Sequence, residues 1–321
     1  MREGQVTNVL RLISLGILAA AFFSSTFILN RAMSLEGGHW VWSASLRYLF
    51  MLTFLTGGLV CSGRKAVLGQ ILLLFRRHWI FWTLAGSIGF GVFYSMICFS
   101  ASYAPGWVVA TTWQTTILAT PLVLLVFGRR IPYRAAMFIG LIFAGIVLVN
   151  LEQIRFSSLA DLLLGGFPVL VAAFAYPLGN QMVWEAQKGG YKRIPHIQDQ
   201  VLENPFARIF LLSMGSVPLW IILILTTEPP PPSAGQWLNT ALVALFSGII
   251  ATGLFLQARH RASNPYEISA IDATQSTEVI FSLVGEVVFL GGAFPGSMGF
   301  LGIALALTGL VFYIKSQYRP V

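Results

Sequence analysis

The chain of 321 residues is 56% hydrophobic and only 10% charged, with a net charge of +8 at pH 7 and a mean hydropathy of +0.76. Soluble domains carry about a quarter charged residues, so this composition excludes a water-exposed globular protein and a disordered chain. The two cysteines, Cys61 and Cys98, fall in apolar segments, which excludes a disulfide framework. The basic balance does not indicate a nucleic-acid partner, because the positive charges lie in short loops between apolar runs.

Ten apolar segments follow one another along the chain, and most approach the ~20 residues that a transmembrane helix needs. They cover residues 12–33, 41–61, 79–100, 107–127, 135–150, 159–182, 206–227, 237–257, 268–290 and 297–314. The first resembles a signal peptide, but it is longer, and further spans follow at once, so we interpret it as an uncleaved helix. Lipid cannot form hydrogen bonds with the free backbone groups at the edge of an open sheet. The segments therefore predict an all-α polytopic membrane protein with ten transmembrane helices.

The lysine and arginine residues predict how these helices are oriented. Seventeen of the twenty fall on one side: Arg2, Arg11, Arg64, Lys65, Arg76, Arg77, Arg129, Arg130, Arg134, Lys188, Lys192, Arg193, Arg208, Arg259, Arg261, Lys315 and Arg319. The opposite loops hold only Arg155, while Arg31 and Arg47 fall inside predicted helices. Since cytoplasmic loops are enriched in lysine and arginine, we expect a multi-pass protein of the cell (inner) membrane with both termini in the cytoplasm.

The order of the segments predicts an internal repeat. Five helices are an odd number, so the halves 1–155 and 156–321 would cross the membrane in opposite directions, as in many secondary transporters. A polar stretch at residues 111–116 in the fourth segment has a counterpart at 274–278 in the ninth. Asn30 in the first segment is likewise echoed by Asn180 in the sixth. The sequence therefore predicts two inverted five-helix repeats within one membrane domain.

Four strings carry a resemblance to a known family: FFSSTFILNRAM at 22–33, GGHWVWSASLRY at 37–48, AYPLGN at 175–180 and DATQSTE at 272–278. They resemble the drug/metabolite transporter superfamily, and more narrowly its ten-helix branch of multidrug resistance efflux transporters. The resemblance covers nearly the whole chain and implies a central cavity between spans one, three, four, six, eight and nine. Many relatives have Glu-Pro where this chain has Glu278-Val279, and Gly-Glu where it has Gly291-Gly292.

The ninth segment carries three carboxylates, Asp272, Glu278 and Glu286. At 100° per residue they share an arc of roughly 120° with Gln275 and Ser282, which must face a cavity or other helices. A charge at mid-bilayer costs about 3 kcal/mol, so such residues are usually functional. Glu278 lies near the middle of the helix, where it would bind a proton or a cationic substrate. The alternative is a structural, hydrogen-bonded carboxyl group.

Two further charged residues lie at similar predicted depth. Arg47 is about two turns inside the second segment, and Glu286 is as deep in the ninth, so we expect them to form a structural ion pair. Direct contact between Glu286 and substrate is the alternative. Arg31 lies nearer the membrane surface, where its side chain can extend to the headgroups.

Polar and aromatic residues of other segments complete the candidate site. We expect Asn30, Asn180, Tyr176, Gln114 and Trp113 to line the cavity, with Trp113 stacking on an aromatic or cationic molecule. The alternative is that these side chains hold neighbouring helices together by hydrogen bonds and packing.

No enzyme chemistry is indicated. The four histidines lie in loops or at helix ends, away from the carboxylates, and the chain has neither a zinc-protease HExxH motif nor a phosphate-binding P-loop. An aspartyl protease needs two membrane aspartates, whereas Asp272 is the one aspartate of the ninth segment. We therefore expect a non-enzyme with no cofactor and no metal.

These observations predict a secondary active transporter that exports a small amphipathic or cationic compound by proton antiport through alternating access. The alternatives are an amino-acid or metabolite exporter or uniporter of the same fold, and a non-transporting membrane scaffold. The expected partners are a small-molecule substrate, protons and the lipid bilayer, without nucleic acid. Ten helices can enclose a cavity in one chain, so either a monomer or a homodimer suffices.

Overall fold

The structure, a computed structural model, describes residues 3–128, 135–153, 158–189, 191–263 and 265–317. Six basic residues used for the predicted orientation lie outside these ranges: Arg2, Arg129, Arg130, Arg134, Arg155 and Arg319. Within the described ranges every regular element is helical, in agreement with the predicted all-α class.

The α-helices are α1 (Glu3–Leu35), α2 (Trp40–Cys61), α3 (Lys65–Arg77), α4 (Trp79–Gly86), α5 (Phe93–Ser100), α6 (Gly106–Trp113), α7 (Thr116–Val126), α8 (Ala135–Gln153), α9 (Leu159–Lys188), α10 (Pro205–Thr227), α11 (Ala234–Val243), α12 (Thr252–Arg261), α13 (Pro265–Thr274), α14 (Thr277–Leu290) and α15 (Ser297–Gln317). In the described part, eight helical segments are long and apolar enough to cross a membrane. Two shorter apolar helices cover Gly140–Glu152 and Ser297–Tyr313.

Local sequence signals fix several helix ends. Ser158 and Asp161 form a reciprocal capping box that satisfies free backbone amides at the start of α9. Asn204 accepts a hydrogen bond from the amide of Phe206 and starts α10, whose first residue is Pro205. Gly291 ends α14 with a φ of +64°, a left-handed conformation that a glycine adopts without steric cost. These ends set the depth at which each helix presents its side chains.

Two of the long helices contain a π-helical segment in the middle. Ser87–Val92 joins α4 and α5 into a continuous helix, and Ala244–Ala251 joins α11 and α12 in the same way. The first segment packs against α9 and α10, and the second packs against α1 and α2. A π-helical turn accommodates an extra residue and frequently occurs beside a functional site.

Two other membrane segments are interrupted. Between α6 and α7, the amides of Gln114 and Thr115 bond to carbonyls three residues earlier, at 3.1 and 3.0 Å. Between α13 and α14, the amides of Gln275 and Ser276 do the same at 3.2 and 3.3 Å. The hydroxyls of Thr115 and Ser276 also donate to the carbonyl three residues back, a local bond that competes with regular helix. The two polar stretches matched in the sequence are therefore the places where these helices break.

The helices pack in matching sets. The first helix, α1, contacts α13, α14 and the α11–α12 helix, while α9 contacts α6, α7 and the α4–α5 helix. The helices α8 and α15 pack along each other, and α2 packs against α10. We call the end of the bundle with the loops 36–39, 101–105, 228–233 and 291–296 the upper face. The end with the described loop residues 62–64, 191–204 and 262–263 is the lower face.

Candidate functional site

A cavity of about 880 Å³ lies between the helices and extends to the lower face, where Pro205, Arg208 and Arg259 line it. Its walls come from α1, α2, α5, α10, α12 and from both interrupted segments, together with α9. All but one of the residues predicted to bind substrate or protons line it: Glu278, Asp272, Gln275, Asn180, Gln114, Trp113 and Tyr176. The sequence pattern thus identified a set of side chains that line the same cavity.

Glu278 lines the cavity from the first turn of α14, directly after the helix break. Its side chain is buried, with 6% of the residue exposed. Within the described ranges it forms no ion pair, and no described donor reaches its carboxyl group. A carboxyl group in this setting has room to exchange a proton or to meet a charged group of a bound molecule.

Asp272 also lines the cavity, but it is paired. The Nη1 atom of Arg259 lies 2.8 Å from Oδ1 of Asp272, so the pair joins the end of α12 to α13 at the lower face. Both side chains are partly exposed. Asp272 therefore differs from Glu278, because an opposite charge already neutralises it.

The structure does not bring the predicted ion pair of Arg47 and Glu286 together. The carboxylate of Glu286 instead lies 3.9 Å from Nε of Arg31 and accepts a 2.9 Å hydrogen bond from the amide of Gly106. Depth explains the correction. Arg31 and Glu286 each lie four residues before the end of their helices, whereas Arg47 lies seven residues after the start of α2.

Arg47 lines the cavity instead. Its Nη2 atom donates a 3.1 Å hydrogen bond to Oγ of Ser247, which lies in the π-helical segment between α11 and α12. Its Cζ atom lies 4.0 Å from the centre of the Tyr94 ring, within range of a cation–π interaction. The structure thus moves Arg47 from a predicted structural role into the wall of the candidate site.

Asn30 lies behind this wall. It is almost fully buried, and its Nδ2 atom lies 3.0 Å from the Tyr94 hydroxyl. Since Tyr94 in turn supports Arg47, Asn30 positions the arginine from a second layer and does not line the cavity. The interhelical hydrogen bond that the sequence left as an alternative is the observed one.

One wall is formed by three aromatic rings. The Trp113 ring lies 4.9 Å from that of Phe93 and 5.7 Å from that of Tyr176, and Phe93 and Tyr176 are 5.0 Å apart, all between ring centres. All three residues line the cavity. Such a cluster offers an apolar surface to a planar or aliphatic group.

Several lining residues were missed by the sequence reasoning, among them Arg208, Arg259, Ser247 and Phe93. The two arginines were counted only as orientation signals, since any basic residue near the predicted cytoplasmic side fits that pattern. Aromatic residues make up 13% of the chain, so Phe93 carried no local signal. Ser247, an isolated polar residue among apolar neighbours, was the one detectable case.

A family model described as "EmrE: Putative multidrug resistance efflux transporter" matches residues 10–319. The chain belongs to this family. The EmrE family is part of the drug/metabolite transporter superfamily, as the sequence resemblance indicated, and the chain is therefore a multi-pass membrane protein of a transporter family. Membership agrees with the expectation of a non-enzyme.

Two curated relatives and one solved structure extend this result. "Uncharacterized protein YjlA" of Bacillus subtilis (strain 168) is 37% identical over 97% of this EmrE-family chain and 96% of its own length. An "Uncharacterized 42.1 kDa protein in intracellular alkaline protease 3'region" of Shouchella clausii is 37% identical over 84% of the chain and 70% of its own length. A solved crystal structure covers 96% of the chain and is itself 99% covered, with a TM-score of 0.58 at 13% identity, a likeness of fold alone.

Proposed function

We propose that the protein is a secondary active transporter that exports a small amphipathic compound in exchange for protons. The observation that carries the proposal is Glu278, a buried carboxyl group facing a cavity of about 880 Å³ with no described ion-pair partner. Buried carboxyl groups in membrane helices mark proton relays and substrate pathways. Beside it, the cluster of Phe93, Trp113 and Tyr176 offers an apolar surface to the body of the substrate.

The architecture we propose is ten membrane spans in two inverted repeats, 1–155 and 156–321. Two features support it. The π-helical segments fall in the third and eighth proposed spans, and the breaks fall in the fourth and ninth, so each feature recurs after five spans. The set of helices around α1 also matches the set around α9. Inverted repeats of this kind carry the binding site at their interface, often beside broken helices.

The position at which the cavity ends supports alternating access. We place the protein in the cell (inner) membrane with both termini in the cytoplasm. The lower face is then the cytoplasmic face, and the described cavity opens toward the cytoplasm. Above Glu278, the contact of Arg31 with Glu286 and the hydrogen bond from Gly106 close the upper side. One chain supplies every part of this pathway, so a monomer suffices and a homodimer is the alternative.

The test is proton flux in liposomes that contain the purified protein and an internal pH dye. We expect small amphipathic compounds from a screened panel to discharge an imposed pH gradient with the wild-type protein. Glu278→Gln removes the exchangeable proton, so it should abolish the coupled proton flux and retain exchange of the same labelled compound. Glu203→Gln, an exposed carboxyl group on the lower-face loop, is the matched control. Full pH-dependent transport by Glu278→Gln would overturn the role of Glu278 in proton coupling, and absence of any exchange by the wild-type protein would favour a scaffold.

A second candidate, an amino-acid or metabolite exporter of the same fold, is favoured by one observation. Arg47 lines the same cavity as Glu278. A purely cationic substrate meets electrostatic repulsion from this guanidinium group, whereas a compound with an acidic group does not.

A further inference from the structure

We propose that Arg47 forms an anion-binding subsite in the cavity and that the transported compound carries a carboxylate bound there. The inference rests on the proposed transport function and assigns the substrate class at the same site. It changes the charge expected from the sequence, since a small organic carboxylate with an apolar body replaces a cationic compound.

The first argument is the unused hydrogen-bonding capacity of Arg47. A guanidinium group has five N–H donors, and the described partners of Arg47 are two hydroxyl groups, those of Ser247 and Tyr94, so donors remain available to a ligand. The Nε atom of Arg47 has no acceptor among the described residues. No described carboxylate lies within ion-pair distance of this arginine. A half-buried arginine inside a membrane protein is costly without an anion, and a carboxylate matches its planar fork with two parallel hydrogen bonds.

The second argument is the fixed position of the guanidinium group. The Tyr94 ring lies under it at 4.0 Å, and Asn30 holds the Tyr94 hydroxyl at 3.0 Å. Tyr48, the next residue of α2, is stacked on Trp220 with ring centres 5.4 Å apart. A side chain held from several sides loses little freedom when it binds a ligand, which favours affinity.

The third argument is the balance of charge around the cavity. The ionisable acidic and basic residues of its described wall are Arg47, Arg208, Arg259, Asp272 and Glu278. Arg259 and Asp272 neutralise each other. Two arginines then face one carboxyl group, so the interior is net positive whether or not Glu278 is protonated. An anion is therefore attracted into the cavity from the lower face.

The remaining wall accommodates the rest of such a molecule. Gln275 lines the cavity with a side-chain nitrogen that has no described partner, and so offers a further polar contact. The rings of Phe93, Trp113 and Tyr176 supply an apolar surface in the same cavity. A carboxylate attached to an aromatic or aliphatic body fills both kinds of surface.

The test uses ligand-induced thermal stabilisation of the full-length protein in nanodiscs, without any ion gradient. The probes are two matched pairs, benzoate with benzylamine and hexanoate with hexylamine, which keep the apolar body and exchange the charge. We expect saturable stabilisation by the carboxylates and none by the amines. Arg47→Gln should weaken carboxylate binding about tenfold or more, because a charged hydrogen-bond pair is lost. Arg47→Lys should weaken it too, since an ammonium group lacks the planar fork.

Arg76→Gln, which removes an exposed arginine of α3, is the charge-matched control and should leave binding unchanged. If Arg47→Gln fails to fold, the comparison of carboxylates with amines on the wild-type protein and the affinity of Arg47→Lys still test the subsite. The proposal is overturned if the amines bind and the carboxylates do not, or if Arg47→Gln retains wild-type affinity for the carboxylates. Carboxylate binding without coupled proton flux would support the subsite and refute the transport function. Proton-coupled transport of amines alone would support the transport function and refute the subsite.

Discussion

The Nε atom of Arg31 lies 3.9 Å from Oε1 of Glu286, and the two residues join α1 to α14 on the upper side of the cavity. The guanidinium group of Arg31 also donates a 2.9 Å hydrogen bond to the carbonyl of Ala101, in the loop after α5. The other carboxylate oxygen of Glu286 accepts the amide of Gly106 at the start of α6. Four helical segments are thus tied together at one level of the bundle.

Loss of this ion pair is expected to weaken the fold. Glu286→Gln leaves Arg31 without its negative partner, which should lower the free energy of unfolding by about 1–3 kcal/mol. The measurement is thermal unfolding of the purified protein in detergent, with Glu36→Gln, an exposed carboxyl group at the same face, as the control. The double variant Arg31→Gln with Glu286→Gln should cost less than the sum of the single changes, and strictly additive effects would contradict the pairing.

At the lower face, the pair of Arg259 and Asp272 is expected to affect transport more than stability. Both side chains are partly exposed, and an exposed ion pair contributes below about 1 kcal/mol. Asp272→Asn should therefore leave the unfolding temperature almost unchanged and slow substrate exchange several-fold, because α12 and α13 meet where the open mouth must close. Exchange of a labelled compound across liposomes measures this.

The reciprocal swap of these two charges provides the control. Arg259→Asp together with Asp272→Arg rebuilds the attraction in reverse, and should recover most of the exchange rate that either single change removes. A swap that recovers nothing would show that Asp272 acts on the substrate itself and not through Arg259.

Close packing between α9 and the first π-helical segment gives a third prediction. A Cβ atom added to Gly179 would overlap the Cα of Gly89 on the facing helix. Gly179→Ala should therefore destabilise the protein by about 1–3 kcal/mol through overpacking. In α2, a Cβ atom at Gly57 meets no atom within 4 Å, so Gly57→Ala is the matched control. Equal unfolding temperatures for the two variants would contradict the close contact.

The sequence predicted the helices well because lipid imposes a single solution on long apolar segments. Eight of the predicted segments coincide with described helical segments that are long and apolar enough to cross a membrane, and the fifth and tenth coincide with shorter apolar helices. The helix breaks were not predicted. A polar stretch inside an apolar run signals function, but the bonds from Thr115 and Ser276 to nearby carbonyls depend on local competition that periodicity does not register.

The candidate site was predicted through its carboxylates and less well through its arginines. Helical phase placed Asp272, Gln275 and Glu278 on one face, and they share one cavity. Phase on a single helix carries no information on which other helix lies opposite. The choice of Arg47 as partner for Glu286 rested on depth alone, and Arg31 of α1 takes that place because α1 packs against α14.

The interruptions at Gln114–Thr115 and Gln275–Ser276 have a mechanical consequence. A straight helix bends sharply only when main-chain hydrogen bonds break. In the hydrocarbon region, each backbone N–H or C=O group left without a hydrogen bond costs several kcal/mol. In these two segments, backbone amides bond to the carbonyl three residues earlier and not four residues earlier, as in a regular α-helix. The hydroxyl groups of Thr115 and Ser276 also donate hydrogen bonds to nearby carbonyls. We therefore expect the half-helices α7 and α13 to change their angles to α6 and α14 without the loss of further regular main-chain hydrogen bonds, so that side-chain packing is the main resistance to such a change.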